Sequence, residues 1–322
     1  MFLICGHKLC FFWANDLFQP HHIIFTVCQK KHVASSMFKN FFNHLYNFIP
    51  TLWQMDEGLK LKSFVLCILS NGATDTTAEP IKTAVLVEKA YAELQLKNIQ
   101  HQVGGVRVRQ HVNPLKASLI VPVTPPVWET LFADPTLPLH IDIGCGSGRF
   151  LMLLAKRTAA PCNFLGLDVR DKLLQRSRLW AEELNLTNLH FMVANATIGL
   201  DAILSTYPGK VSLVSILCPD PHFKKRHQKR RIVQKCLVDA LAKHLAPGGQ
   251  IFLQSDVREV AVDMRDQFDA NTTVFTRVHT KNSADCDQEG WLLENPLGVA
   301  TEREIHALAQ GGRLYRLLFR RL

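Results

Sequence analysis

Beyond about Pro138 the chain alternates between two hydrophobic rhythms. Short apolar runs of strand length, "LHIDI", "NFLGLD", "LHFMVA", "VSLVSIL" and "QIFLQSD", are separated by longer segments with apolar residues at helical spacing. "FLMLLAKRT", "DKLLQRSRLWAEELNL" and "IVQKCLVDALAKHL" are such segments, and in the last Val233, Leu237, Leu241 and Leu245 fall on one stripe. Strands alternating with helices of this length predict βαβ units. The expected fold is therefore α/β, with a mostly parallel sheet and helices on both faces. The final runs, "TTVFTRVHT" and "RLYRLLFRR", lack a helix-length pattern suited to a crossover between parallel neighbours, so they predict a different arrangement at the sheet's edge.

Upstream the rhythm weakens. "IKTAVLVEKAYAELQLKNIQ" spaces Val85, Ala92 and Leu96 in a weakly helical pattern, and "GGVRVRQHVNPL" sets Arg107, Arg109 and His111 on alternating positions, as on one face of a strand. An ordinary exposed edge accounts for those three as readily as a binding role does. Residues 70–80, "SNGATDTTAEP", read as a polar, breaker-rich linker. Residues 1–50 hold nine of the 19 phenylalanines, no arginine and a single acid, Asp16. Few acids suit an organelle transit peptide, but such peptides are Arg- and Ser-rich. Residues 1–80 are therefore read as a divergent targeting segment or an incorrect gene-model start, with Met37 or Met55 as the alternative initiator. Residues 81–135 are read as an N-terminal extension of the main domain and 136–322 as that domain.

Composition narrows the partners. With 37 Lys and Arg against 28 Asp and Glu, the net charge of +9 calls for a polyanion, either nucleic acid or anionic lipid. No apolar run approaches the roughly 20 residues of a membrane span, which weakens the lipid option. Nine cysteines without a CxxC pair fit neither a zinc site nor a disulfide framework, so buried thiols in a reducing compartment and no metal are expected.

Two motifs carry chemistry. In "HIDIGCGSGRF" a strand ends at Asp142–Ile143, and Gly144, Gly146 and Gly148 then lead into a helix. Glycines let the backbone turn sharply and let a ligand approach it beside a helix N-terminus. Asp168 ends the next strand, where an acid accepts hydrogen bonds from a ribose. The spacing is GxGxG, with Arg149 where a dinucleotide fingerprint needs its third glycine. Asp142 beside that turn would oppose a pyrophosphate but favour the ammonium of S-adenosylmethionine. "LAPGGQIFLQSD", leading from a helix into a strand through Pro247–Gly248–Gly249, points the same way.

The second motif is "CPDPHFKKRHQKRR". Prolines at 219 and 221 predict extended backbone for Cys218 and Asp220 at the C-terminal end of "VSLVSIL", the edge where open α/β sheets bind ligands. Six of the eight residues from Lys224 to Arg231 are Lys or Arg, a run suited to phosphates.

Taken together, "PDPHFKKRHQKRR", "DIGCGSG", "SDV" and "TEREIH" resemble the tRNA (guanine-N7-)-methyltransferase family over residues 104–322, and "VRQHVNPL" with the His-Phe pair looks most like its plant, plastid-type members. The resemblance implies a Rossmann-like class I methyltransferase with a seven-stranded, mostly parallel sheet and an antiparallel C-terminal edge. It implies S-adenosylmethionine held by Asp142, Gly144, Gly146, Asp168 and Asn195, with Asp220 catalytic and beside the cofactor. It implies tRNA contacts at Lys224, Arg226, His227, Lys229, Arg230 and Arg231, and further substrate contacts at Asp256, Thr301 and Glu304. Bacterial members commonly carry Glu where this chain has Asp142 and Asp168, and Asp where it has Asn195. Thr301-x-x-Glu304 also satisfies a helix capping box, and the two roles stay open. A chloroplast location is implied, with cytoplasm or nucleus as alternatives. Fungal and animal relatives use a β-propeller partner subunit, whereas bacterial ones act alone, which the plastid-like resemblance favours.

The expected product is N7-methylguanine in the variable loop of tRNA. Guanine N7 is an acceptor with a free lone pair and needs no deprotonation, so positioning and electrostatics carry the chemistry. In this reading Asp220 orients the base and stabilises its developing positive charge, while Asp256 and Glu304 hold its N1 and amino hydrogens. The competing readings are a non-catalytic tRNA-binding subunit, an NAD-dependent oxidoreductase, and methylation of another RNA.

Overall fold

The computed structural model describes residues 2–5, 8–11, 83–96 and 112–322. Arg107, Arg109 and His111 lie outside the described residues. The chain forms two compact units, Met1–Pro80 and Ile81–Leu322. In the first, β1 (Phe2–Cys5) and β2 (Lys8–Phe11) pair antiparallel, with Phe2 opposite Phe11.

The second unit is built on seven strands: β3 (Leu139–Ile143), β4 (Asn163–Asp168), β5 (Leu189–Val193), β6 (Val211–Leu217), β7 (Leu245–Ser255), β8 (Phe275–Arg277) and β9 (Tyr315–Arg321). Their order is β5-β4-β3-β6-β7-β9-β8. The five strands from β5 to β7 are parallel, and β9 runs antiparallel between β7 and β8. The Rossmann-like α/β sheet with an antiparallel C-terminal edge is thus present. β3 and β4 are buried along their whole length, as strands covered on both faces must be.

Among the described residues seven helices accompany the strands: α1 (Thr83–Ala90), α2 (Arg149–Arg157), α3 (Asp171–Glu183), α4 (Ala196–Leu204), α5 (Lys235–His244), α6 (Arg258–Asp269) and α7 (Glu302–Ala309). The Val233–Leu245 stripe is buried throughout, as its period requires. The spacing of Val85, Ala92 and Leu96 does not mark the packed face of α1. Val85 is 53% exposed and Ala92 is exposed too, whereas Leu96 is buried together with Val87, Tyr91 and Leu94. α4 and α6 are not among the predicted helices. In α4 a β-carbon on Gly199 would stand 2.5 Å from the Val123 side chain, so a loop packed against the helix sets its composition. Among the described residues no helix is long and apolar enough to cross a membrane.

The order β4-β3-β6 places the loop after β3 between the ends of β4 and β6, where the chain reverses its direction of winding. That topological switch point is where open α/β sheets bind ligands.

Candidate active site

The glycine loop has the conformation its composition predicts. Gly144, Gly146 and Gly148 all have positive φ, at 82°, 60° and 74°. At Gly148 the demand is double, because a β-carbon would also stand 2.5 Å from the Phe191 ring. At Gly144 nothing lies within 4 Å of such an atom, so the backbone there is open to a ligand.

A cleft of about 140 Å³ opens at this edge. Gly144, Asp168, Asn195 and Asp220 all line it, with Arg170, His222 and Arg230. Chain positions far apart therefore converge at the ends of β3, β4, β5 and β6. Asp168 is 5% exposed and densely bonded. Its Oδ1 accepts from Arg170 N at 2.9 Å and Nε at 2.8 Å, and its Oδ2 from Arg170 Nη2 at 2.7 Å and Gly146 N at 3.1 Å. A ribose diol reaching Asp168 must replace some of these bonds. Asn195, also buried, donates from Nδ2 to the Pro114 carbonyl at 3.0 Å, which pins residues 112–114 against the cleft. An ionised Asp could not make that bond, so the amide has a structural use here.

Asp142 lies beneath the loop rather than on the cleft wall, and is 3% exposed. It accepts from Ser215 Oγ at 2.7 Å, and Ser215 Oγ lies 3.0 Å from His140 Nε2. Burial pushes the Asp142 carboxyl up to about 7; the Ser215 hydrogen bond acts against this and the Asp168 charge adds to it. Burial pushes His140 down to about 3, so its imidazole is neutral where it meets the serine through Nε2. Neither His140 nor Ser215 stood out in the sequence.

The segment after β6 departs from the extended prediction at Cys218, whose φ is 50°. Proline restricts its predecessor but does not fix it. Cys218 N donates to the Gln254 carbonyl of β7 at 2.7 Å, so the sheet holds the residue in the left-handed region. His222 has φ 46°, so strained residues flank Asp220 on both sides. Asp220 is exposed at the cleft, and its charge helps hold the Arg170 guanidinium protonated, second to the Asp168 bonds.

The basic run divides. Lys225–Arg230 form a 3-10 turn; Lys224, Arg226 and Lys229 are exposed, and His227 and Arg230 are half-buried. Arg231 is a correction to the predicted RNA-contacting run. It is 6% exposed, pairs with Glu259 at 2.5 Å and Asp263 at 3.2 Å, and donates to the Pro221 carbonyl at 3.0 Å. It anchors the loop that carries Asp220.

Glu304 is likewise drawn into the fold. Thr301 and Glu304 form the capping box of α7. The Glu304 carboxylate is 3% exposed and accepts from Arg316 at 2.7 Å, Asn295 at 3.0 Å and Gln254 at 3.2 Å. The structure thus bears out the cap, and a guanine reaching this carboxylate would have to replace some of these bonds. Asp256 is better placed, half-buried just past β7, but its Oδ2 takes both 3.0 and 2.5 Å bonds from Arg303. No group of side chains among the described residues could hold a metal ion.

Comparison with known proteins fits this geometry. A family profile described as "Putative methyltransferase" matches residues 136–317. A tRNA (guanine-N(7)-)-methyltransferase of Nostoc sp. is 46% identical over 217 residues, 67% of this chain and 94% of the relative. A tRNA (guanine-N(7)-)-methyltransferase of Synechococcus elongatus is 47% identical over 216 residues, 66% of this chain and 96% of the relative.

Proposed function

The chain belongs to the tRNA (guanine-N7-)-methyltransferase family, and from that premise we propose how its cleft carries out the reaction. It is an S-adenosylmethionine-dependent enzyme that methylates guanine N7 in tRNA. The observation that carries the residue-level reading is the convergence of Gly144, Asp168, Asn195, Asp220 and Arg230 on one cleft at the switch point. The open backbone at Gly144 and the buried acids at 142 and 168 suit an adenosine bearing a cationic amino-acid end. When bound, S-adenosylmethionine supplies a methyl group on a sulfonium, reactive toward a neutral lone pair.

The chain's own part is to bind, orient and stabilise. Asp168 accepts the ribose hydroxyls once Arg170 yields, and the Asp142 charge beneath the loop favours the cationic end. Asp220 faces the guanine, aligns its N7 and stabilises the positive charge that grows on the ring, with no proton to remove. Lys224, Arg226, Lys229 and Arg230 hold the phosphates around it. Asp256 serves the base's N1 and amino hydrogens, which requires Arg303 to yield. The target guanine lies in the variable loop, the chain works without a propeller subunit, and the compartment is the chloroplast; the resemblance of "VRQHVNPL" to plastid-type members supports these last readings. Label transfer from S-adenosylmethionine by the purified full chain, offered unmodified tRNA or an unrelated RNA, tests the substrate class. Equal labelling of both would defeat the tRNA reading.

Asp142 gives a pH-dependent test. The folded carboxyl keeps its proton up to about 7, whereas the unfolded one loses it near 3.8. Stability therefore falls as pH rises through that window, and the penalty is complete above 7. Asp142→Asn is expected to melt at a higher temperature than the parent above pH 7, with the gap closing toward pH 4. Cofactor affinity should rise with pH through 7 in the parent, and the variant should bind at least about tenfold more weakly, the effect of roughly 1.4 kcal/mol. Thermal melts and calorimetric titrations across pH check both; equal affinity in the variant removes Asp142 from the site.

A further inference from the structure

Three N–H groups buried around one indole have no acceptor: Nε of Arg149, Nε of Arg176 and Nε1 of Trp180 itself. Both guanidinium carbons lie over the Trp180 ring, at 5.3 Å for Arg149 and 4.5 Å for Arg176. Trp180 is fully buried, while Arg149 and Arg176 are half-buried. Stacking on a rigid ring fixes two flexible cations in place, but it also sets like charges side by side. Burial first, and then the Arg149 charge, lower the Arg176 pKa, with Glu302 acting against them. Glu302 lies 3.8 Å from Arg149 and is already engaged by the Ser147 hydroxyl. Two guanidiniums against one shared carboxylate leave an uncompensated positive charge in a half-buried place, a costly arrangement.

The location gives the charge a use. Arg149 is the first residue of α2 and Arg176 stands in the second turn of α3. Both helices start at the sheet edge where the cleft opens, one following the glycine loop and the other following β4. The Lys224–Arg230 run follows β6 instead. These are two cation clusters on different connections around one cleft.

We propose that Arg149 and Arg176, held against Trp180, form a second binding site for a phosphate of the tRNA backbone. The inference rests on the tRNA reading above. A phosphodiester brings the missing negative charge, and the planar guanidinium is the side chain that matches it bidentately. A carboxylate has the same chemistry in smaller measure, so the cofactor's own carboxylate is the occupant the experiment must separate from a phosphate.

Arg176 is the residue to change, because Arg149 adjoins the glycine loop. The affinity of the full chain for unmodified tRNA would be measured over a salt series with S-adenosylhomocysteine saturating, for the parent, Arg176→Gln and Arg176→Lys. Cofactor affinity would be measured separately by calorimetry. For Arg176→Gln the slope of log affinity against log salt should shrink by roughly 0.7–0.9, the share of one neutralised phosphate, and cofactor affinity should stay within about twofold. Arg176→Lys should recover the slope but not the full affinity, because it keeps the charge and loses the fork. Should the Gln variant not fold, a several-fold affinity loss in the Lys variant at an unchanged slope carries the same conclusion. An unchanged slope and affinity in Arg176→Gln overturns the proposal, as does a loss of cofactor affinity with tRNA binding intact, which assigns the pair to the cofactor's carboxylate. A parent chain that binds cofactor but no tRNA overturns the tRNA reading and the proposal with it.

Discussion

Asp220→Ala is expected to lower the rate of methyl transfer at least about a hundredfold, the size of effect seen when one aimed electrostatic group is removed from a transition state. Its affinity for tRNA should change little. The asymmetry follows from position: Asp220 sits on the cleft wall beside Asp168, Asn195 and Arg170, whereas the exposed cations lie on the following 3-10 turn. Removing a carboxylate close to those cations reduces repulsion toward phosphate, so any change in tRNA affinity should be a slight gain. Asp220→Asn is the finer probe. It keeps the size and a hydrogen-bonding group but loses the charge, so most of the rate loss should persist if charge stabilisation is the main contribution. Single-turnover rates with saturating tRNA separate this from binding. Near-parental rates in both variants would remove Asp220 from the chemistry.

The second large effect belongs to the exposed part of the basic run. Lys224→Ala, Arg226→Ala and Lys229→Ala combined should weaken tRNA binding by more than an order of magnitude near physiological salt. The salt slope should fall by roughly 2–3, at about 0.7–0.9 for each phosphate no longer neutralised. Cofactor affinity should be preserved, since all three side chains are exposed and none lines the cleft. Arg231→Ala should behave differently although it belongs to the same run. It leaves Glu259 and Asp263 without their buried partner and frees the Pro221 carbonyl, so its first effect is on stability and on the Asp220 loop. A triple variant with the parental salt slope would show that the tRNA approaches from elsewhere.

That contrast shows where the sequence was legible. Strand positions could be read because central parallel strands are continuous apolar runs, and β3, β4 and β6 fall where "LHIDI", "NFLGLD" and "VSLVSIL" stand. The glycine loop could be read because positive φ at three alternate residues leaves few substitutes for glycine. What could not be read are properties of partners distant in sequence. Arg231 looks like its neighbours until β6 and α6 bring Glu259 and Asp263 to it. Glu304 fitted both a cap and a base contact, and only the fold supplies Arg316, Gln254 and Asn295 to engage it. Cys218 was expected to be extended from local rules, but its bond to β7 imposes another conformation. Ser215 and His140 look like ordinary strand residues until the pairing of β3 with β6 puts them beside Asp142.

The central claim is that this cleft delivers a methyl group to N7 of one guanine in tRNA. The most direct measurement incubates the full chain with S-adenosylmethionine and unmodified tRNA, then treats the RNA with borohydride and aniline, which cleave at N7-methylguanine. A single break in the variable loop, absent with Asp220→Ala, is the predicted result. Methyl incorporation without cleavage, or no incorporation by a chain that binds the cofactor, would contradict it.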